Sequence, residues 1–179
     1  MRVLIVGAVG LRADRGWARI GPVTMRCALG RSGRSMRKRE GDGATPIGRW
    51  TVRAFFVRPD GRLRLRSRAL PAPARVIAKQ DGWCDAPGDR NYNRPVRHPY
   101  PASAERLWRA DDLYDVIVVL GYNDQPRRRG AGSAIFLHLM RRRDNGEPAP
   151  TEGCVALAAR DLAIVIAKLR PGSAVRVLG

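Results

Sequence analysis

The sequence predicts a mostly β fold, and two patterns support this prediction. Short apolar runs with strand character recur along the chain, separated by glycine, proline and aspartate at turn positions. Helical spacing of apolar residues is clear in one stretch only, at about 158–169, where Asp161 lies in the first turn and Lys168 in the last. Many short strands and one well-defined helix follow from these patterns.

The strand predictions rest on runs of apolar and β-branched residues. Residues 115–121 form the clearest run, and because they are apolar on both faces, we expect a central position in a sheet. Residues 134–139 form a second apolar run and are its expected neighbour. The other predicted strands are 3–6, 17–20, 23–29, 50–56, 63–70, 75–79 and 174–178.

Residues 81–101 have a different character, being dense in glycine, proline, asparagine and aspartate. This composition predicts a long irregular loop, and loops of that length inside a compact domain are usually functional. Because the segment contains one tryptophan and two tyrosines, we expect a packed lid and not a flexible linker. Ser103 is a suitable N-cap, which predicts a short helix at 103–109.

Composition bounds the class of protein. A chain of 179 residues is most simply one domain, 1–179, and no segment approaches the ~20 apolar residues that a membrane-spanning helix needs. Cys27, Cys84 and Cys154 are too few and too scattered for a disulfide framework, and nothing suggests a zinc site. We expect a monomer with no metal, no cofactor and at least one free thiol.

The charge is strongly positive, with 34 Lys and Arg against 16 Asp and Glu, a net charge of +18. Such a field attracts polyanions, whether nucleic acid, anionic lipid or acidic cell-wall polymer. The arginines are spread over the whole length, with short runs at 31–39, 62–68, 127–129 and 141–143. A solvated surface is the simpler interpretation, and binding of an anionic polymer stays open.

The first ten residues have the charge and a short apolar core of an export signal. Two glycines interrupt the core, no small-residue cleavage site follows, and Asp14 comes early. We therefore do not expect these residues to act as a secretory signal.

One pair of residues has the chemistry of a catalytic site. His138 closes an apolar run, and Cys154, directly after Gly153, opens another. A neighbouring imidazole can turn a cysteine into a nucleophile, and the amides at the start of the predicted helix would favour the thiolate further. Gly153 leaves room for an acyl donor, and nearby backbone amides could hold the oxyanion. On residue types alone, a buried cysteine and a core histidine stay open as the alternative.

The other candidate residues have simpler interpretations. Cys84 lies beside Asp85, whose negative charge raises a thiol pKa, so a structural role is favoured. Cys27 alternates within a predicted strand and is expected in the core. For His98, loop packing is favoured over a substrate contact.

The segments around His138 and Cys154 resemble the L,D-transpeptidase catalytic domain, also called the YkuD domain. The family's signature is a histidine, a spacer of about 15 residues, and then Ser-His-Gly-Cys followed by an apolar residue and often arginine. Here His138 precedes Thr-Glu-Gly-Cys-Val-Ala-Leu at 151–157, and Gly-Ala-Thr-Pro-Ile-Gly-Arg-Trp lies upstream at 43–50. The resemblance runs from about Arg26 to the C-terminus, and 90–97 and 113–123 look like a short bacterial branch of the family.

The resemblance implies a β-sandwich-like fold and acyl transfer on peptidoglycan stem peptides, as part of cell-wall biogenesis. Cys154 would attack the carbonyl of a meso-diaminopimelate residue and expel D-alanine, and His138 would accept the thiol proton and return it. The acyl-enzyme would be resolved by an amine or by water. Gly153, Thr151 and Glu152 would lie at the substrate or the oxyanion. The implied location is the cell envelope or periplasm; because no clear export signal is present, the cytoplasm stays open.

The motif departs from the family pattern at three positions. Thr151 and Glu152 replace the serine and histidine, and Ala156 replaces the arginine. Glu152 could orient His138, contact the substrate amine or be solvated. The arginines at 141–143 could replace the missing cation, although a solvated face is simpler. An L,D-carboxypeptidase or amidase acting on wall fragments, and a basic polyanion-binding protein with a non-catalytic thiol, are the alternative functions.

Overall fold

The computed structural model describes residues 2–61 and 74–179. The mostly β prediction is confirmed, since this part of the chain contains fourteen strands and one helix; the strand predicted at 63–70 lies outside the described residues. In chain order the elements are β1 Val3–Gly7, β2 Arg15–Ile20, β3 Val23–Ala28, β4 Arg34–Ser35, β5 Thr45–Pro46, β6 Gly48–Val57, β7 Ala74–Val76, β8 Asp81–Cys84, β9 Pro95–Arg97, β10 Ala104–Arg106, β11 Val116–Leu120, β12 Phe136–Leu139, β13 Val155–Leu157, α1 Ala159–Lys168 and β14 Ala174–Val177.

Nine strands form the main sheet, in the order β11-β12-β13-β3-β2-β1-β14-β6-β7. Strand β6 is long enough to pair with β14 through its first half and with β11 through its second half. The pairing therefore closes the sheet on itself, and β7 adds to β6 as a flanking strand. Closure removes two sheet edges that would otherwise expose unpaired backbone groups.

Strand β11 has the central position expected from its sequence. Its alternate side chains belong to two separate apolar clusters: Val116, Val118 and Leu120 pack in the first, and Ile117 and Val119 in the second. The first cluster also contains Leu162, Val165 and Ile166 from the buried face of α1. The second cluster contains Cys154, so one face of β11 supports the wall of the candidate site.

The helix predicted at 158–169 is confirmed, because α1 spans Ala159–Lys168. Its acidic residue Asp161 and its basic residue Lys168 lie in the first and last turns, where each complements the helix dipole. Of the residues described, none belongs to a helix with the length and apolar character needed to span a membrane.

Residues 81–109 differ from the prediction. The expected irregular loop contains β8 and β9, and the expected helix at 103–109 is wrong, because Ala104–Arg106 is a strand that pairs antiparallel with β8. The three strands form a small sheet in the order β10-β8-β9. Backbone pairing to β8 and complete burial of Leu107 outweigh the local helix signal of Ser103. This small sheet packs against the second apolar cluster through Trp83.

Candidate active site

The two residues singled out by the motif line one cavity of about 490 Å³. Strands β12 and β13 are parallel neighbours, and His138 pairs with Ala156 in their register, which sets Cys154 beside the start of β12. The small sheet closes another side of the cavity. Residues lining the cavity include Cys154, His138, Tyr114, Glu105, Asp85 and Ser133.

His138 is buried and held in one orientation. Its Nδ1 lies 2.7 Å from the carbonyl oxygen of Leu139, and because a carbonyl can only accept, Nδ1 carries the proton and Nε2 keeps its lone pair. The ring packs edge-on against Tyr114, with ring centroids 5.3 Å apart. Burial lowers the pKa of His138 to about 4, so the imidazole is neutral at pH 7 and can act as a base.

Cys154 is buried, with its sulfur between two backbone groups. The Phe136 N–H donates to Sγ at 3.3 Å, and the thiol donates to the Ala134 carbonyl at 3.3 Å. Burial, and after it the charge of Glu105, raises the pKa of the Cys154 thiol to about 12, although the Phe136 amide and Lys38 act in the opposite direction. The resting thiol is therefore protonated at pH 7.

The expected help from a helix N-terminus is wrong. Strand β13 lies between Cys154 and α1, because Val155–Leu157 pair with both β12 and β3. The helix amides therefore begin at Ala159, after the strand. The predicted helix begins at about 158, four residues after Cys154, and the long-range pairing that makes residues 155–157 a strand leaves no local signal in the sequence.

Two threonines fix the backbone of Cys154. Thr151 Oγ1 donates to the Cys154 carbonyl at 2.7 Å and accepts from the Gly153 N–H at 3.2 Å. Thr45 Oγ1, from the upstream segment 43–50, donates to the same carbonyl at 3.3 Å. Thr45 also accepts from the Gly30 N–H, which ties the loop of Cys154 to the main sheet.

Gly153 is a glycine for a geometric reason. Its φ is +132°, and a Cβ there would lie 2.8 Å from the Ala44 carbonyl oxygen and 3.3 Å from Lys38 Nζ. Lys38 is itself almost fully buried, with its side chain 2% exposed, and it pairs with Asp42 at 2.6 Å. A buried cation thus lies next to the loop that carries Cys154. The sequence prediction missed Lys38, because it lies in an arginine-rich run that favours a solvated surface.

The three positions that depart from the family motif have different environments. The Glu152 side chain is 78% exposed, lies at the cavity rim and pairs with Arg31 at 2.8 Å. Ala156 is buried and lines the cavity beside His138. Of the arginines at 141–143, Arg141 lines the cavity, whereas Arg143 pairs with Asp14 at 2.9 Å outside it.

A tyrosine and a glutamate at the cavity were not predicted from the sequence. The Tyr114 hydroxyl donates to Glu105 Oε1 at 2.6 Å. Arg109 lies over the Tyr114 ring at 5.3 Å and forms a bidentate pair with Asp111, at 2.7 and 2.8 Å. The position of Tyr114, directly before the clearest predicted strand, is a signal that could have placed it near the site. Glu105 has no such signal, because its segment was expected to be a helix.

The remaining cysteines and His98 lie away from the cavity lining. Cys27 is fully buried in the first apolar cluster, and burial raises its pKa to about 12, as fits the core position expected for it. Cys84 is buried in the small sheet, and its pKa is raised first by burial and then by Asp89 and Asp85. His98 packs partly buried near Gly82 in the same sheet.

The chain belongs to the L,D-transpeptidase catalytic domain family, YkuD, whose family model matches residues 14–177. Among solved structures, the chain is similar to Mycobacterium tuberculosis L,D-transpeptidase 1, with 12% sequence identity and a TM-score of 0.40. It is also similar to L,D-transpeptidase 3 from the same organism in complex with a faropenem-derived adduct, with 14% sequence identity and a TM-score of 0.40. These alignments cover 99% of the present chain but 63% and 61% of those chains, so it spans less than two thirds of their length. The search of curated proteins found no match.

Proposed function

We propose that the protein is an L,D-transpeptidase that acts on peptidoglycan stem peptides, with Cys154 as nucleophile and His138 as general base. Family membership supports the reaction class. The observation that carries the residue assignment is that Cys154 and His138 line one cavity while His138 Nδ1 is engaged by the Leu139 carbonyl, which leaves Nε2 as the proton acceptor.

The first half of the reaction forms a thioester. The Cys154 thiol gives its proton to His138 Nε2 as Sγ attacks the carbonyl carbon of the diaminopimelate residue. The tetrahedral intermediate then expels the amine of the terminal D-alanine, which takes the proton from His138. Because the resting thiol and imidazole are both neutral, proton transfer accompanies the formation of the S–C bond.

The second half resolves the thioester. An amine of a second stem, or water, gives a proton to His138 and attacks the acyl carbon, and the released thiolate takes that proton back. The amine yields a crosslink, and water yields a trimmed stem. The reaction thus needs one base that works in both directions, and His138 has the required lone pair.

The oxyanion of each tetrahedral intermediate needs an N–H donor. The Cys154 N–H is our candidate, because it has no acceptor within residues 2–61 and 74–179, whereas the Gly153 N–H already donates to Thr151. In this arrangement Thr151 shapes the loop and Gly153 admits the donor stem. Glu152 lies at the rim, where it can meet the substrate.

The test is incubation of the purified protein with disaccharide-tetrapeptide, followed by mass spectrometry of the products. We expect release of D-alanine, with a crosslinked dimer or a tripeptide as the second product. Cys154→Ser should abolish release, and His138→Gln should reduce it by about 10²- to 10⁴-fold, the usual contribution of a general base. Cys84→Ala is the control for loss of a thiol outside the cavity and should stay active.

Three results would contradict this proposal. The first is a folded protein that releases no D-alanine from any stem peptide; the second is release that continues in Cys154→Ser. The third is wild-type release in His138→Gln. On this proposal the substrate is cell-wall polymer, and fractionation of the native host distinguishes action in the envelope from action on wall fragments in the cytoplasm.

A further inference from the structure

The charge inside the cavity is opposite to the charge of the whole chain. The chain carries a net charge of +18, yet Glu40, Asp85 and Glu105 all line the cavity that contains Cys154. Burial raises the pKa of Glu105, the hydrogen bond from Tyr114 and the charge of Arg109 lower it, and Asp85 and Glu40 raise it, so both of these carboxylates lie within electrostatic range of Glu105. The charge of Glu105 also raises the pKa of the Cys154 thiol. Among the described lining residues, acidic side chains therefore outnumber basic ones, four (Glu40, Asp85, Glu105 and Glu152) to two (Arg109 and Arg141).

Two polar atoms of the cavity residues have no hydrogen-bond partner in the described part of the chain. Ser133 is 6% exposed, and its buried Oγ is unpartnered. Asp85 Oδ1 is buried and unpartnered as well. Buried polar atoms normally have partners, so two unsatisfied atoms in the lining of one cavity indicate a ligand that supplies donors.

Within residues 2–61 and 74–179 the cations of the cavity form no ion pair with these carboxylates, although the charge of Arg109 lowers the pKa of Glu105. Arg109 is engaged in its bidentate pair with Asp111, and Arg141 is exposed. Glu105 accepts from the Tyr114 hydroxyl, and Glu40 accepts from the Tyr92 hydroxyl, so both are oriented by neutral donors. The fold thus holds Glu105 and Glu40 in place through neutral donors, and Arg109 acts on Glu105 only at a distance.

We propose that Asp85, Glu105 and Ser133, with Glu40 at longer range, form a subsite that binds an ammonium group of the substrate beside Cys154. An ammonium has three N–H donors and one positive charge, which match two carboxylates and one hydroxyl. On the proposed function, this group is the free amine of the diaminopimelate side chain on a stem peptide. The subsite would select substrates that carry this amine unmodified.

The subsite also has a consequence for the thiol. A bound ammonium offsets the charge of Glu105, which is one of the groups that raise the pKa of Cys154. The nucleophile is then easier to deprotonate when a cationic substrate is present than when the cavity is empty.

The first experiment uses thiol reagents and needs no turnover. Cys154 is labelled with a cationic methanethiosulfonate (2-aminoethyl) and an anionic one (2-sulfonatoethyl), and the rates are measured by peptide mass mapping. We expect the cationic reagent to react faster, and Glu105→Gln or Asp85→Asn to lower the cation-to-anion rate ratio about tenfold, a modest fraction of one close charge pair. The ratio cancels any general change in thiol reactivity, and Gln retains the oxygen that accepts from Tyr114.

Glu147→Gln is the matched control. It removes the same charge from a surface carboxylate that pairs with Arg15 outside the cavity, and it should leave the ratio unchanged. The net charge of +18 alone predicts the opposite preference, for the anionic reagent. An anionic preference in the wild type, or a ratio that does not respond to Glu105→Gln and Asp85→Asn, would overturn the subsite.

The second experiment compares a tetrapeptide stem with its derivative acetylated on the diaminopimelate side-chain amine. We expect the wild type to release D-alanine from the free amine at least about tenfold faster in kcat/KM, and Glu105→Gln to lose most of this preference. If neither peptide reacts but the labelling ratio holds, the proposed function fails and the subsite stands. If both peptides react equally and the labelling ratio does not respond, the subsite fails and the function stands.

Discussion

Acidification should destabilise this protein through His138. The native pKa of this imidazole is about 4 and its ordinary value is 6.5, so between these values the unfolded chain binds a proton that the folded chain does not. Stability therefore rises with pH across this window and is lost as pH falls from 6.5 towards 4. Between pH 7.5 and pH 4.5 the two pKa values give a loss of about 2.5 kcal/mol in the free energy of unfolding, since one pKa unit corresponds to about 1.4 kcal/mol.

The assay is urea unfolding followed by tryptophan fluorescence, in the wild type and in His138→Gln, at several pH values from 4.5 to 7.5. Other titrating groups contribute to both proteins, so the difference between the two curves isolates His138. We expect the wild type to lose about 2.5 kcal/mol more than the variant over this range. Parallel curves would show that the folded protein admits a charged imidazole, and this result would refute the buried, neutral base on which the proposed mechanism depends.

Three further predictions concern the supports of the site. Gly153→Ala should lower the free energy of unfolding by about 3 kcal/mol in a denaturant titration, because the added Cβ clashes with the Ala44 carbonyl at a position of positive φ. Gly172→Ala is the control: this glycine also has a positive φ but faces open space, so the same titration should show a loss of only about 1 kcal/mol. Lys38→Met should slow alkylation of Cys154 by neutral iodoacetamide about tenfold at pH 8, because it removes a charge that lowers the thiol pKa; an unchanged rate would contradict this. Asn93→Ala should cost about 3 kcal/mol in urea unfolding, since the amide forms a buried hydrogen bond with Trp83 and partly buried ones with Ala134, Tyr122 and Asn123. A loss under about 1 kcal/mol would count against that role.

The parts of the fold that the sequence predicts well are those in which local pattern and burial agree. Strand β11 is apolar on both faces because both of its faces pack in apolar clusters, and α1 shows helical spacing because one face joins the first cluster. The small sheet is different. Its strands have three or four residues each, interrupted by glycine and proline, and they exist through pairings such as Asp81 with Arg97 that no local pattern reveals.

The same distinction applies to the candidate site. His138 and Cys154 stand out because they flank apolar runs at the spacing of a family motif, whereas their electrostatic environment comes from distant segments. Lys38 comes from the loop between β4 and β5, and Glu105 comes from β10. In the sequence, Lys38 lies in an arginine-rich run that favours a solvated surface, and Glu105 lies in a segment predicted to be a helix. Residue types thus predicted the proposed reacting groups, and long-range packing decides their electrostatic environment.

On the proposed function and subsite, the balance of charges at Cys154 would make its reactivity depend on the substrate. Burial keeps the thiol protonated, Glu105 strengthens that effect, and Lys38 opposes it from the neighbourhood of Gly153. Of these three effects, a small cationic group entering the cavity can offset only the charge of Glu105, because Lys38 is almost fully buried and is already paired with Asp42. Replacing Glu105 by glutamine should therefore make Cys154 in the empty site react faster with a neutral thiol reagent. The same replacement should reduce the preference of the site for a cationic substrate over an uncharged one. These two opposite changes in one variant distinguish a substrate-dependent nucleophile from a thiol that is merely buried.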